Sequence, residues 1–215
     1  YRSAWEGLDD QLDVSDVLKE FSYLYFANAG KVMLKEMSPY LQQLVPKLMI
    51  AVNMSEYQTN DDDDEEAEYD DDGDLIKFIN IDDAYINSKK ASITTLASLA
   101  EACEEEFAPY LDVVWPALIN PNPLVEAAVN SHHANIQAEV FTSAGHFLRA
   151  AMRQGGIMKA PETGEIINIP TVLHEPIDVL YGICIRTIYY EDDANLVVSA
   201  MDGLSEVIKL TGCGV

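Results

Sequence analysis

Two segments that lie 70 residues apart repeat each other, and this repeat limits the possible folds more than any other feature of the chain. Residues 37–49 read MSPYLQQLVPKLM, and residues 107–119 read FAPYLDVVWPALI. Five identical positions are shared, because Pro39, Tyr40, Leu41, Pro46 and Leu48 recur as Pro109, Tyr110, Leu111, Pro116 and Leu118. Two-helix repeats usually span about 40 to 47 residues, so an insertion of about 25 residues is expected between the copies. The repeat therefore predicts stacked helical units rather than one central core.

An acidic run lies where the insertion is expected. Residues 61–74 contain 11 carboxylates among 14 residues, and no Lys or Arg occurs between Lys47 and Lys77. Because such a run repels itself and has no apolar face, it predicts a solvated loop within an insertion of residues 55–80. The formal net charge of the chain is −24, and removing the 11 carboxylates of the run leaves −13. This acidity favours basic partners and disfavours nucleic acid and anionic membranes.

The spacing of apolar residues predicts an all-α chain of about seven helices. Their expected ranges are 15–34, 38–52, 83–105, 109–119, 131–153, 172–190 and 193–212. The first helix is indicated by Val17, Phe21, Leu24, Tyr25 and Val32, which recur at helical spacing. Residues 75–81 could form a brief extended piece, since they are too few for a helix. Repeat boundaries are placed near residues 37, 107 and 171, and the chain is expected to be a piece of a longer array.

The order "helix, then F/M-x-P-Y-L-x-x-x-x-P-x-L, then Asp, then helix" resembles the HEAT repeats of the karyopherin-β, or importin-β, family. Residues 89–119, KKASITTLASLAEACEEEFAPYLDVVWPALI, are similar to the central repeats of import receptors that carry histones and ribosomal proteins. The resemblance extends over the chain from about residue 15 onward. It implies an α-α superhelix, a HEAT-repeat solenoid, in which the second helix of each pair lines the concave face. Asp83 with Lys89 or Lys90 fits the family pattern, whereas Gln137 and Val197 depart from it where a basic residue is usual.

The resemblance implies a transport function without catalysis. Its expected partners are basic cargo proteins or peptides, a Ran-type GTPase that releases the cargo, and Phe-Gly nucleoporins that bind between the outer helices. The expected location is both cytoplasm and nucleus, with shuttling between them. A HEAT-repeat scaffold that assembles a multiprotein complex is the alternative function.

Two groups of residues are candidates for binding a basic partner. A helical wheel separates polar from apolar sides of the second helices. The polar side includes Asn87, Ser98, Asn135, Glu139, Asn195, Asp202 and Glu206. Asn amides could hold the backbone of an extended peptide, and carboxylates could bind its Lys and Arg side chains. The alternative is that these residues are ordinary solvated positions.

The second group is the acidic run itself. Its carboxylates are Asp61, Asp62, Asp63, Asp64, Glu65, Glu66, Glu68, Asp70, Asp71, Asp72 and Asp74. They could attract cargo or the GTPase, or the run could be a spacer that needs no partner. A calcium loop is a poor match, because Ile79 stands where a bidentate Glu belongs.

Patterns typical of catalysis or of cofactor binding are not found in the sequence. There is no Gly-rich phosphate loop, and Ser143 lies in TSAGH, which lacks the flanking glycines of a nucleophile elbow. His132 and His133 are adjacent and therefore point to different sides of a helix. The three cysteines, Cys103, Cys184 and Cys213, are far apart and form no C-x-x-C pair. We therefore expect no enzyme activity, no metal and no cofactor, in a reducing compartment.

Overall fold

The computed structural model describes residues 4, 8, 15–54, 83–122, 127–157, 169 and 171–212. The α-helices in these ranges are α1 (Asp16–Met33), α2 (Leu41–Val52), α3 (Asp83–Cys103), α4 (Leu111–Leu118), α5 (Ala134–Gln154), α6 (His174–Tyr190) and α7 (Ala194–Thr211). Short 3-10 helices connect several of them, and no strand is found in the described residues. The all-α prediction is confirmed. The acidic run and the possible extended piece at residues 75–81 lie outside the described ranges.

The helices pack in two layers. One layer is a row in which α1 packs on α3, α3 on α5 and α5 on α7. The other layer contains α2, α4 and α6, which pack on α3, α5 and α7 respectively. The C-terminal ends of α1, α3 and α5 meet through ion pairs, so these helices run parallel. A HEAT solenoid would have this alternation, and its superhelical curvature stays a prediction.

The two copies of the sequence repeat share one backbone conformation. Leu34 and Glu104, which are 70 positions apart, both have a φ of 51° at the end of a helix. Tyr40 has φ −92° and ψ −13°, and Tyr110 has φ −90° and ψ −10°. A positive φ is unusual for residues with a Cβ atom, so its recurrence at this offset indicates the same helix ending in both units.

The second predicted helix begins later than expected. Its predicted start was residue 38, but residues Leu34–Tyr40 form a 3-10 helix and α2 starts at Leu41. Pro39 explains the difference, because the residue before a proline is disfavoured in the α conformation. The same occurs before α4, where Ala108–Tyr110 is a 3-10 helix that contains Pro109.

The core follows the middle of the row. The residues predicted to face inward from α5 are buried, apart from half-buried Ala151. By contrast, most of the apolar residues that indicated α1 are exposed, with Phe21 at 64% and Val32 at 82%. The buried residues of α1 are instead Ser22, Tyr23, Phe26, Ala27 and Gly30. The reason is that α1 lies at the end of the row and has a neighbour on one side only.

Gly203 allows α7 to approach α5 closely. A Cβ atom at this position would lie 2.9 Å from the carbonyl oxygen of Phe141 and 3.3 Å from its Cβ atom. Contacts below 3 Å to backbone atoms cannot be relieved by a change of rotamer, so the two helices would have to move apart. Gly182 on α6 differs, because a Cβ atom there would meet nothing within 4 Å.

We therefore expect opposite effects from the same substitution at these two glycines. Gly203→Ala should lower the free energy of unfolding by about 1 to 3 kcal/mol through overpacking. Gly182→Ala should raise it by up to about 1 kcal/mol, because alanine favours a helix over glycine. Urea unfolding followed by circular dichroism measures both. A neutral Gly203→Ala variant would contradict the close contact between α5 and α7.

Candidate binding surface

Exposed polar residues lie on three neighbouring helices of the row. Asn87, Asn135 and Asn195 are all exposed, and they lie within the first two turns of α3, α5 and α7. Because these helices run parallel, the three amides lie at the same end of the row. Asp202 on α7 is also exposed. The structure thus leaves these four predicted residues accessible to a ligand.

Ser98 was predicted to belong to the same accessible set, and this is wrong. Its exposed fraction is 6%, and it lies where α3 packs on α1. A Cβ atom on Gly30 of α1 would be 3.6 Å from the backbone oxygen of Ser98. The wheel counted Ser98 as polar and therefore exposed, but a serine is small enough to lie between two closely packed helices.

Glu139 and Glu206 were predicted to meet a partner, yet both bind neighbouring helices. Glu139 accepts a hydrogen bond from Thr94 Oγ1 of α3 at 2.6 Å. Glu206 accepts one from Lys209 Nζ at 2.9 Å and another from Arg149 of α5. The hydrogen bond from Lys209, with a smaller effect from Arg149, lowers the pKa of the Glu206 carboxyl. These two carboxylates therefore already have partners within the chain.

Further carboxylates make similar ties near the C-terminal ends of the row. Arg153 of α5 binds Glu104 at 2.6 Å, and Lys35 binds Glu105 at 2.9 Å and Glu104 at 3.6 Å. The hydrogen bond between Lys35 and Glu105 raises the pKa of the lysine and lowers that of the carboxyl. We use the term carboxylate ladder for the set that ties adjacent helices, which is Glu101, Glu104, Glu105, Glu139 and Glu206.

His146 is the titratable member of this network near neutral pH. Its Nδ1 atom lies 3.5 Å from a carboxylate oxygen of Glu101 on α3. Burial lowers the pKa of His146, and Glu101 opposes this effect. Arg149 and Lys31 also lower this pKa, whereas Glu206 raises it. The neutral imidazole is therefore favoured in the folded chain.

The turns before the row helices are held by different side chains in each unit. Lys89 is buried and donates a hydrogen bond from Nζ to the carbonyl of Met54 at 3.0 Å. Gln137 Nε2 donates in the same way to the carbonyl of Ser131. Asp193 instead accepts from the backbone N–H of Asn195 at 2.8 Å as the N-cap of α7. Gln137, which departs from the family pattern, thus still contacts the preceding turn.

Tyr85 and Lys89 also fix both ends of the insertion. Tyr85 Oη donates to the Met54 carbonyl at 2.6 Å, beside the hydrogen bond from Lys89. Met54 is the last described residue before the insertion, and Tyr85 lies in the first turn of α3. The chain therefore leaves and re-enters the fold at the N-terminal end of α3, two residues from Asn87.

Three observations bear on other kinds of site. Within the described ranges, no three His, Cys, Asp or Glu side chains are grouped so that they could hold a metal ion. Cys103 and Cys184 are buried thiols, and desolvation raises the pKa of Cys184 to about 12. None of the helices that the structure describes is both long and apolar enough to cross a bilayer.

Comparison with known proteins adds no further assignment. The chain matches no protein-family model and no curated protein.

The ladder members Glu101 and Glu104, with the cation Lys35, were not among the predicted site residues. One signal in the sequence could have found part of the ladder. Lys35 and Glu105 occupy equivalent positions of the repeat, 70 residues apart, and they carry opposite charges. Equivalent positions in adjacent units lie side by side, so opposite charges there predict a contact between units.

We expect His146 to make the folded chain less stable in mild acid. Its pKa is lower in the folded state than its ordinary value of 6.5, so the unfolded chain binds more protons as the pH falls through that value. The His146→Gln variant should therefore lose less unfolding free energy than the wild type between about pH 7.5 and 5.5. Urea unfolding at a series of pH values measures this difference.

Glu101→Gln provides the opposing arm of the experiment. Removing this carboxylate should lower the pKa of His146 further, because Glu101 raises it. The pH dependence should then be steeper than in the wild type. Parallel pH profiles for all three chains would contradict a titrating role for His146.

Proposed function

We propose that this chain is a cargo-binding segment of a nuclear import receptor and that it binds Lys/Arg-rich protein segments. The observation that supports this proposal is the position at which the acidic run is attached. Tyr85 and Lys89 hold its first neighbouring residue, Met54, against the start of α3. This is the end of the row where Asn87, Asn135 and Asn195 are exposed.

The two sets of groups complement an extended basic peptide. An Asn side chain has a carbonyl acceptor and two N–H donors, which together match the hydrogen-bonding groups of a peptide backbone. The acidic run adds 11 negative charges next to these amides. Such a charge attracts Lys and Arg side chains over long distances and raises the association rate.

The carboxylate ladder supports a division of labour among the acidic residues. Glu139 and Glu206 are bound to Thr94 and to Arg149 with Lys209, so moving them to a ligand would break contacts between helices. Asp202 and the acidic run remain as the predicted carboxylates for cargo. The bound peptide is therefore expected to be read by exposed amides and by charge rather than by the ladder.

The resemblance to import receptors supports the remaining partners of this proposal. They are a Ran-type GTPase as the releasing ligand and Phe-Gly nucleoporins as the contacts during passage between cytoplasm and nucleus. A multiprotein scaffold, the alternative function, would have no reason to bind the GTPase differently in its GTP and GDP forms. A pull-down with both nucleotide forms separates the two functions.

We expect the affinity for a Lys/Arg-rich peptide to fall steeply with salt and to depend on the acidic run. Fluorescence anisotropy with a labelled basic peptide, between about 50 and 300 mM salt, measures both effects. Replacing the 11 carboxylates of residues 61–74 by Asn and Gln should weaken binding about tenfold or more at low salt and flatten the salt dependence. This variant keeps the loop length constant.

Two further variants complete the experiment. Asn87→Ala should weaken binding by several fold at every salt concentration, because an amide contact depends little on ionic strength. Gln42→Ala, at an exposed position of α2 in the other layer, is the matched control and should leave the affinity unchanged. Unchanged affinity in the carboxylate replacement would remove the acidic run from the mechanism.

A further inference from the structure

The two ends of the helix row expose apolar side chains. On α1, the residues Leu18, Phe21, Tyr25 and Val32 are exposed. On α7, at the opposite end, Val198, Met201 and Ile208 are exposed. Apolar faces of this kind at the ends of a repeat array mark surfaces that can accept another unit, because capping units normally carry a polar outer face.

The repeat shows which kind of partner would fit the exposed face of α1. Shifting Leu18, Phe21, Tyr25 and Val32 by 70 positions gives Ser88, Ala91, Thr95 and Ala102 on α3, and all four are buried. They lie where α1 packs on α3. Two contacts show this: Thr95 Oγ1 donates to the Tyr23 carbonyl at 2.8 Å, and a Cβ atom on Gly30 would lie 3.8 Å from the Cβ atom of Ala102. The exposed face of α1 is thus the counterpart of a face that on α3 is covered by a parallel helix.

The described residues that precede α1 do not lie on this face. Ala4 and Leu8 are buried, and the Leu8 carbonyl accepts a hydrogen bond from Lys47 Nζ of α2 at 2.6 Å. They therefore belong with the other layer, beside α2.

The outer face of α7 corresponds to the covering side of α1. Both helices end at a residue with positive φ, Leu34 at 51° and Gly212 at 74°. Aligning these two residues places Met201 where α1 has Tyr23, and Ile208 where α1 has Gly30. Tyr23 and Gly30 are the residues through which α1 contacts α3. By register, α7 thus presents outward the side that a row helix uses to cover its successor.

We propose that α7 of one copy of this chain packs on α1 of a second copy, in the parallel arrangement that α1 adopts on α3. The two matching faces lie at opposite ends of one row, so they meet between copies and not within one copy. Such a contact is heterologous, which means that it joins copies head to tail and leaves one face of each kind free at the ends. This interaction is separate from the binding of basic cargo.

Salt distinguishes this association from cargo binding. Each copy has a formal net charge of −24, so copies repel each other at low ionic strength. Screening by salt weakens that repulsion and leaves the apolar contact intact. Self-association should therefore strengthen as salt rises, whereas the binding of a basic peptide should weaken.

Sedimentation velocity of the 215-residue chain over a concentration series tests the proposal. The wild type should form dimers and larger species in a concentration-dependent manner. Phe21→Lys blocks the α1 face, and Met201→Lys blocks the α7 face; each should reduce the association constant about tenfold or more. Val113→Lys, which introduces the same charge at an exposed position of α4, is the control and should associate like the wild type.

Mixing the two blocked chains gives the decisive result. Each retains the face that the other lacks, so an equimolar mixture should form dimers but nothing larger. A wild-type chain that stays monomeric at every salt concentration would overturn the proposal, as would blocked chains that still associate alone. Because Phe21 is 64% exposed, its replacement should leave the fold intact, which circular dichroism checks. Unchanged binding of the basic peptide by Phe21→Lys would show that the two proposals stand or fall separately.

Discussion

The packing of α3 between α1 and α5 is the interaction on which the rest of the structure depends. Ile93, Leu96 and Leu99 are fully buried, and small residues on the α1 side allow the two backbones to approach. Because each row helix contacts only its neighbours, stability is expected to be a sum of unit and interface contributions. Loss of the α3 contacts would therefore separate the array into two parts. The second layer depends on the same helix, since α2 packs on α3.

The acidic residues of this chain have two different roles. The carboxylate ladder ties adjacent helices through Lys35, Thr94, His146, Arg149, Arg153 and Lys209. Individual ion pairs at partly exposed sites contribute little, about 0 to 1 kcal/mol each, so the ladder sets the register of the helices more than their stability. The acidic run has no basic residue within it and lies beyond a fixed attachment point. It is therefore the part of the charge that a basic ligand would neutralise.

The same arrangement explains why the two proposed interactions do not compete. The amides and the attachment of the acidic run lie at the N-terminal ends of the row helices. The apolar faces lie on the outer sides of the first and last helices, α1 and α7. A segment of cargo could therefore occupy the first surface while a second copy occupies the other. Their opposite salt dependence would make the two interactions dominant under different conditions.

The sequence by itself determined the helices, the repeat and the charge. Helix positions follow from local spacing, and the conserved register of Tyr40 with Tyr110 follows from a direct sequence repeat. Only the tertiary structure decided which side of each helix is covered. Phe21 is exposed and Ser98 is buried, although their polarity indicates the reverse, because exposure depends on whether a neighbouring helix is present. Likewise, Glu139 and Glu206 are polar residues on a helix in the sequence, but their partners on other helices lie 45 and 57 residues away. Contacts between units depend on how the helices stack, and no local pattern encodes that stacking.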